Sequence, residues 1–262
     1  MKEMGLMYWY EMNLRYLFVL FGSVLATAAY AFGPMSPGVN PSVVQDLAGV
    51  IKYSTISDSS FRGEEHWRML VHPDGSRTVT MTVRLDATKV SRVTTVRVDA
   101  QFRPLDAYQM LWTEGEFRGS GYFWVEGQIL NAVVTANTGT LQQTVEVPKR
   151  FSWVTHPLGA DGLHMWYFDE QGPRVQTATV YNTDTLGKSL GSILGRVHDV
   201  KLELLGEEEI DVPAGRFLTK KYLMDERLEI WVGVEDPLMV KMRNQSKDRL
   251  YELVELSRTD LR

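Results

Sequence analysis

Two histidines and a carboxylate fall within one short stretch, His156-Pro157-Leu158-Gly159-Ala160-Asp161-Gly162-Leu163-His164. An imidazole exchanges protons near neutral pH, and with a carboxylate it can hold zinc. His156, Asp161 and His164 are therefore the chain's candidates for acid–base or metal chemistry. Their spacing fits no zinc-ligand signature, and no glutamate stands where a metallohydrolase needs its base. His-Pro and Asp-Gly are ordinary turn dipeptides. The stretch predicts a turn with hydrogen-bonded imidazoles, and neither a metal nor a cofactor is expected.

A second tract, Gly187-Lys188-Ser189-Leu190-Gly191, has the form of a serine-hydrolase nucleophile elbow. Those enzymes place an acid and then a histidine after the serine, whereas His198 here precedes every later acid. The tract also approaches a phosphate-binding loop, but the first required glycine is Asn182. Both enzyme motifs fail, and a loop or short helix over the mouth of a sheet is expected instead. The chain contains no cysteine, which excludes disulfides, thiolate metal ligands, a cysteine nucleophile and lipid attachment through an N-terminal Cys. A net charge of −5 argues against a general nucleic-acid binder.

Strands must position whatever site exists. Trp67, Met69 and Val71 alternate with His66, Arg68 and Leu70; a Pro73-Asp74-Gly75-Ser76 turn follows, then Val79, Met81, Val83 and Leu85 alternate with Thr78, Thr80, Thr82 and Arg84. Period two on both sides of a Gly-containing turn is a hairpin. The pattern recurs at Val93–Phe102, Phe117–Glu126, Ile129–Ala136, Thr140–Val147, Val175–Tyr181, Val200–Leu205, Phe217–Met224, Leu228–Val234, Leu238–Met242 and Leu250–Leu256. Only Val43–Tyr53, the stretch near Asp161–Tyr167 and Thr185–Leu194 are compatible with helix. About a dozen short strands without a βαβ rhythm predict an all-β fold. The expected architecture is a strongly curved antiparallel sheet, an open half-barrel with one or two short helices on its concave side.

The N-terminus reads as an export signal. Tyr16–Ala31 carries no charge, Arg15 precedes it, and Ala29-Tyr30-Ala31 has the small-x-small form that signal peptidase cleaves, before Phe32. A start at Met12 would give a more usual charged n-region. The expected organisation is a signal peptide at 1–31, a leader at 32–59 and a single curved β-sheet domain at 60–262. Loss of residues 1–31 removes two charges of each sign and leaves the net charge at −5. The expected compartment is the periplasm.

Curling leaves a concave face that large apolar groups must line. Tyr122 and Trp124 share one face of a strand, opposite Gly119, Gly121 and Phe123; Gly119 and Gly121 permit sharp curvature or the close approach of another element. With Trp231, these two aromatics are the expected ligand-binding residues of a continuous concave surface.

Farther on, Glu209-Ile210-Asp211-Val212-Pro213-Ala214-Gly215-Arg216-Phe217 is followed by Leu228-Glu229-Ile230-Trp231-Val232 and Pro237-Leu238-Met239-Val240-Lys241-Met242. These segments, with Val98–Leu105 upstream, resemble the Pro-x-Gly-x-Phe turn, Trp-bearing strand and Pro-led strand of the DUF3108-like family of exported bacterial proteins. The resemblance covers residues 60 to 256 and implies a curved sheet akin to lipoprotein-carrier half-barrels that hold acyl chains. It carries over no catalytic residue, and the Gly187–Gly195 tract has no place in its pattern.

Together these readings predict a periplasmic protein that binds a hydrophobic molecule, a lipid or acyl chain, without transforming it. One alternative is an enzyme working on an apolar substrate with His156, Asp161 and His164. Another is a structural protein of the envelope whose strand edges pair with a partner. A monomer with at most a transient envelope partner is expected.

Overall fold

The computed structural model describes residues 43–154, 161–183 and 193–261, and within them the alternation becomes one sheet of fifteen strands. In chain order these are β1 (Gln45–Ser54), β2 (Phe61–Val71), β3 (Arg77–Leu85), β4 (Val90–Val98), β5 (Pro104–Thr113), β6 (Glu116–Glu126), β7 (Ile129–Ala136) and β8 (Gly139–Glu146). They continue with β9 (Ser152–Val154), β10 (Val175–Thr183), β11 (Gly195–Val212), β12 (Gly215–Met224), β13 (Leu228–Gly233), β14 (Met239–Asn244) and β15 (Arg249–Asp260). Across the sheet the order is β8-β7-β6-β5-β4-β3-β2-β1-β15-β14-β13-β12-β11-β10-β9. Neighbours are antiparallel except β9 and β10, which are parallel. From β1 in the centre the described strands thus meander out to one end and return to the centre from the other.

The open, all-β architecture agrees with the expectation, and one segment needs correction. Val43–Tyr53 was compatible with helix and placed in the leader, yet Gln45–Ser54 is the central strand, paired with β2 on one side and β15 on the other. Leu47, Val50 and Ile51 mimic a helical repeat, but Leu47, Gly49, Ile51 and Tyr53 also alternate, and the odd set is buried. Two flanking strands offering unmet backbone groups decide between the patterns. The segments 1–31 and 184–192 lie outside the described residues.

Register defines the concave wall. Leu47, Met69, Val79, Val96, Ala107, Phe123 and Ala132 are successive cross-strand partners, all buried. Beside this row runs Gly49, Trp67, Met81, Thr94, Gln109, Gly121 and Val134. On the other half, Leu253, Met242, Ile230, Tyr222 and Leu202 continue the inward face.

The sheet rolls up by overlap. Trp153 of β9 and Tyr181 of β10 meet edge to face at 5.0 Å and both approach Phe123 of β6, at 4.8 and 6.2 Å between ring centres. The alternate residues of these strands, Ser152 and Val180, face the other way, so the back of the β9–β10 end lies against the concave wall of β6–β8. Gly121 lets this happen: a Cβ there would come within 2.8 Å of Ile193. The close approach expected of this glycine is real.

A short 3-10 helix, Asp161–Tyr167, lies on the concave side, where a helix was expected. Ring packing and one close approach help to hold the segment. Trp166 packs on Phe102 with centroids 4.3 Å apart, Phe168 meets Tyr222 at 5.5 Å, and Gly162 sits where a Cβ would strike the Pro237 carbonyl.

Candidate functional site

Among the described residues, an apolar cleft opens where β12 and β14 begin and β13 and β15 end, with a volume of about 370 Å³. Leu47 of β1 and Leu253 of β15 form its floor; Leu256, Phe217, Leu218, Leu238 and Val240 form its walls. The floor residues are buried because they belong to the concave row, while Leu218 is 52% exposed at the lip. Four charged side chains, Arg216, Glu235, Asp236 and Arg258, also border the cleft. Two of them form an ion pair at the lip, Arg258 with Asp236 at 2.7 Å, and Arg216 pairs with Asp211 at 2.9 Å. Such pairing holds the cations at the rim and leaves the interior to apolar contact. A second cleft of about 240 Å³ lies across the loop at 233–237, walled by Met165, Trp166 and Phe168 and by Tyr222 and Val232.

The expected ligand-binding aromatics are not brought together on the concave side. Phe123 and Gly121 take the inward positions of β6, so Tyr122 and Trp124 project from the convex face, where they stack on each other at 5.5 Å. Tyr122 is 48% exposed beside its cross-strand partner Tyr108. Trp231 also faces outward, because Ile230 and Val232 hold the inward positions of β13. It is only 5% exposed, since its indole N–H donates to Glu208 at 2.6 Å and the Lys221 ammonium lies 4.6 Å from its ring. The expectation of one concave aromatic surface is corrected: strand parity places all three on the opposite face.

Of the acid–base candidates, His156 lies outside the described residues, as does the side chain of Asp161. His164 is fully buried in the 3-10 helix, and its Nδ1 is hydrogen-bonded to Ser152 Oγ of β9. The contact ties the helix to the sheet edge. Among the described residues, no group of His, Cys, Asp and Glu side chains could hold a metal ion.

The concave wall also holds polar side chains that sequence reasoning did not single out. Glu65 of β2 is fully buried and accepts a hydrogen bond from the Tyr53 hydroxyl at 2.6 Å. Arg92 and Thr94 of β4 and Gln109 of β5 are buried on the same face. Their only signal is a polar residue at an inward position of an alternating strand, and that is visible only once parity is known. For β5 even the strand was not foreseen: Tyr108, Met110 and Trp112 on its outer face blur the alternation.

No family model and no curated protein matches this chain. Among solved structures it is similar to a β-barrel-like protein of domain of unknown function DUF1849 from Brucella abortus. The TM-score is 0.51 at 12% identity, over 85% of this chain and all of that one. A protein with a YmcC-like fold from Bacteroides fragilis aligns over 82% of this chain and 96% of its own, with TM-score 0.30 and 12% identity. The first likeness shows a β-barrel-like fold, which agrees with the fold that the sequence resemblance implies.

Proposed function

We propose that this is a periplasmic protein, akin to the DUF3108-like exported proteins, that binds a hydrophobic molecule such as a lipid or acyl chain and does not transform it. The observation that carries this reading is the cleft floored by Leu47 and Leu253. Its volume lies within the range of small-molecule sites, its walls are apolar, and two of its bordering charges pair with each other. Burying a chain there gains about 0.8 kcal/mol per CH₂. Export is supported by the charge-free run Tyr16–Ala31 and its Ala29-Tyr30-Ala31 end.

Leu218 offers a clean test because it lines the cleft and is largely solvent-exposed, so the fold tolerates a change there. Native protein is expected to bind a fluorescent apolar dye, and Leu218→Asp to bind it at least tenfold more weakly with an unchanged unfolding midpoint. A native protein that leaves the dye in water, or a variant that binds it equally, overturns the reading.

A further inference from the structure

Thr94 and Gln109 face each other across β4 and β5 as direct cross-strand partners, 0% and 1% exposed. Alternation with Val96 and Leu111 points both into the concave side. Neither Thr94 Oγ1 nor Gln109 Oε1 or Nε2 has a hydrogen-bond partner among the described residues. Side chains directly opposite in an antiparallel pair have Cβ atoms about 4.5–5.5 Å apart, so hydroxyl and carboxamide address one spot. Buried polar atoms without partners destabilise a fold, and native proteins keep few of them. Valine and leucine here would match Val96 and Leu111 and carry no such cost. Beside Gln109 on β6 is Gly121, roofed by Ile193 just ahead of β11. The spot therefore lies under the overlap of the two sheet ends.

We propose that Thr94 and Gln109 form a buried site for a group carrying a hydrogen-bond donor and an acceptor on neighbouring atoms, a carboxamide or an undissociated carboxylic acid. Gln109 Nε2 donates to the carbonyl of that group while Gln109 Oε1 accepts from its N–H or O–H, closing a two-bond ring. The Thr94 hydroxyl supplies a further donor to the carbonyl. A carboxylate would set its negative charge against Gln109 Oε1, and an alkyl group would leave all three atoms unmet. The group arrives either as a small free molecule or as the head of an amphiphile. In the second form the inference rests on the hydrophobic-ligand reading, because Val96, Val79 and Met69 lead as consecutive cross-strand partners to Leu47 in the cleft floor.

Titration calorimetry on native protein and on Thr94→Val and Gln109→Leu, with decanamide and acetamide as probes, tests the site. The fluorescent apolar dye runs alongside as a control. Native protein is expected to bind decanamide at least tenfold more tightly than Gln109→Leu, with the dye bound equally by both and the unfolding midpoint not lowered. Competition by acetamide identifies the free molecule as the source; its failure to compete identifies the amphiphile head. Should Gln109→Leu fail to fold, the near-isosteric Thr94→Val carries the same expectation at a severalfold loss. Equal decanamide affinity in native protein and variants overturns the site, as does dye binding without decanamide binding, and both leave the hydrophobic-ligand reading standing. Acetamide binding without dye binding supports the site and overturns that reading; binding of neither probe nor dye overturns both.

Discussion

The Tyr181 hydroxyl of β10 donates to Gln143 Oε1 of β8 at 2.6 Å, although these strands stand at opposite ends of the sheet. Gln143 Nε2 in turn donates to the Gly195 carbonyl at 2.8 Å, and the Gly195 N–H donates to the Tyr181 hydroxyl at 2.7 Å. One glutamine and one tyrosine therefore close a seam that, among the described residues, no ladder of backbone hydrogen bonds crosses. Aromatic packing of Phe123, Trp153 and Tyr181 completes it.

Tyr181→Phe keeps the ring and removes the hydroxyl that serves both Gln143 and Gly195. A loss of about 1–2 kcal/mol in urea unfolding is expected, the cost of leaving partly buried groups unmet. An unchanged midpoint would mean that the seam depends on ring packing alone.

Burial pushes the Tyr181 phenol up to about 12, against the pull of the Gly195 N–H, and burial likewise lifts Tyr222 to about 12. Both lie above the ordinary value of 10.0. The unfolded chain then releases these protons before the folded one does. Their contribution is fully present below pH 10 and is lost as pH rises from 10 to 12. Tyrosinate absorbance followed beside unfolding midpoints should show stability falling in that window, less steeply in Tyr181→Phe.

Trp231→Ala is expected to cost about 3–5 kcal/mol, because it empties a buried site and removes the partner of Glu208 and Lys221. Dye affinity per folded molecule should be unchanged, since the ring lies on the convex face. Weakened binding at full stability would return Trp231 to the ligand site.

Tyr122→Ala should change stability by only about 0.5 kcal/mol, as expected for an exposed position. It should leave dye binding untouched, and a calorimetric titration with the dye would detect any departure.

The class of fold was legible in the residue pattern alone. Period-two alternation at Trp67–Val71, Val79–Leu85 and Ile129–Ala136 reports local half-burial, and any sheet must honour it. The short helix at Asp161–Tyr167 was legible for the same reason, whereas at Gly121 the sequence offered only the room for a close approach and the distant Ile193 fills it. Tertiary structure decided which of the two strand faces turns inward. Shifting a strand's parity by one residue exchanges its faces, and the aromatics of β6 and β13 make either face plausible as core. Phe123 rather than Tyr122 and Trp124 turned inward, because Trp153 and Tyr181 arrive from the far end of the sheet to pack on it. The same overlap covers the neighbourhood of Gln109, and a separate long-range pairing, with β15, puts β1 in the centre. Sequence spacing cannot report such pairings, because they join residues whose separation along the chain has no periodic signature.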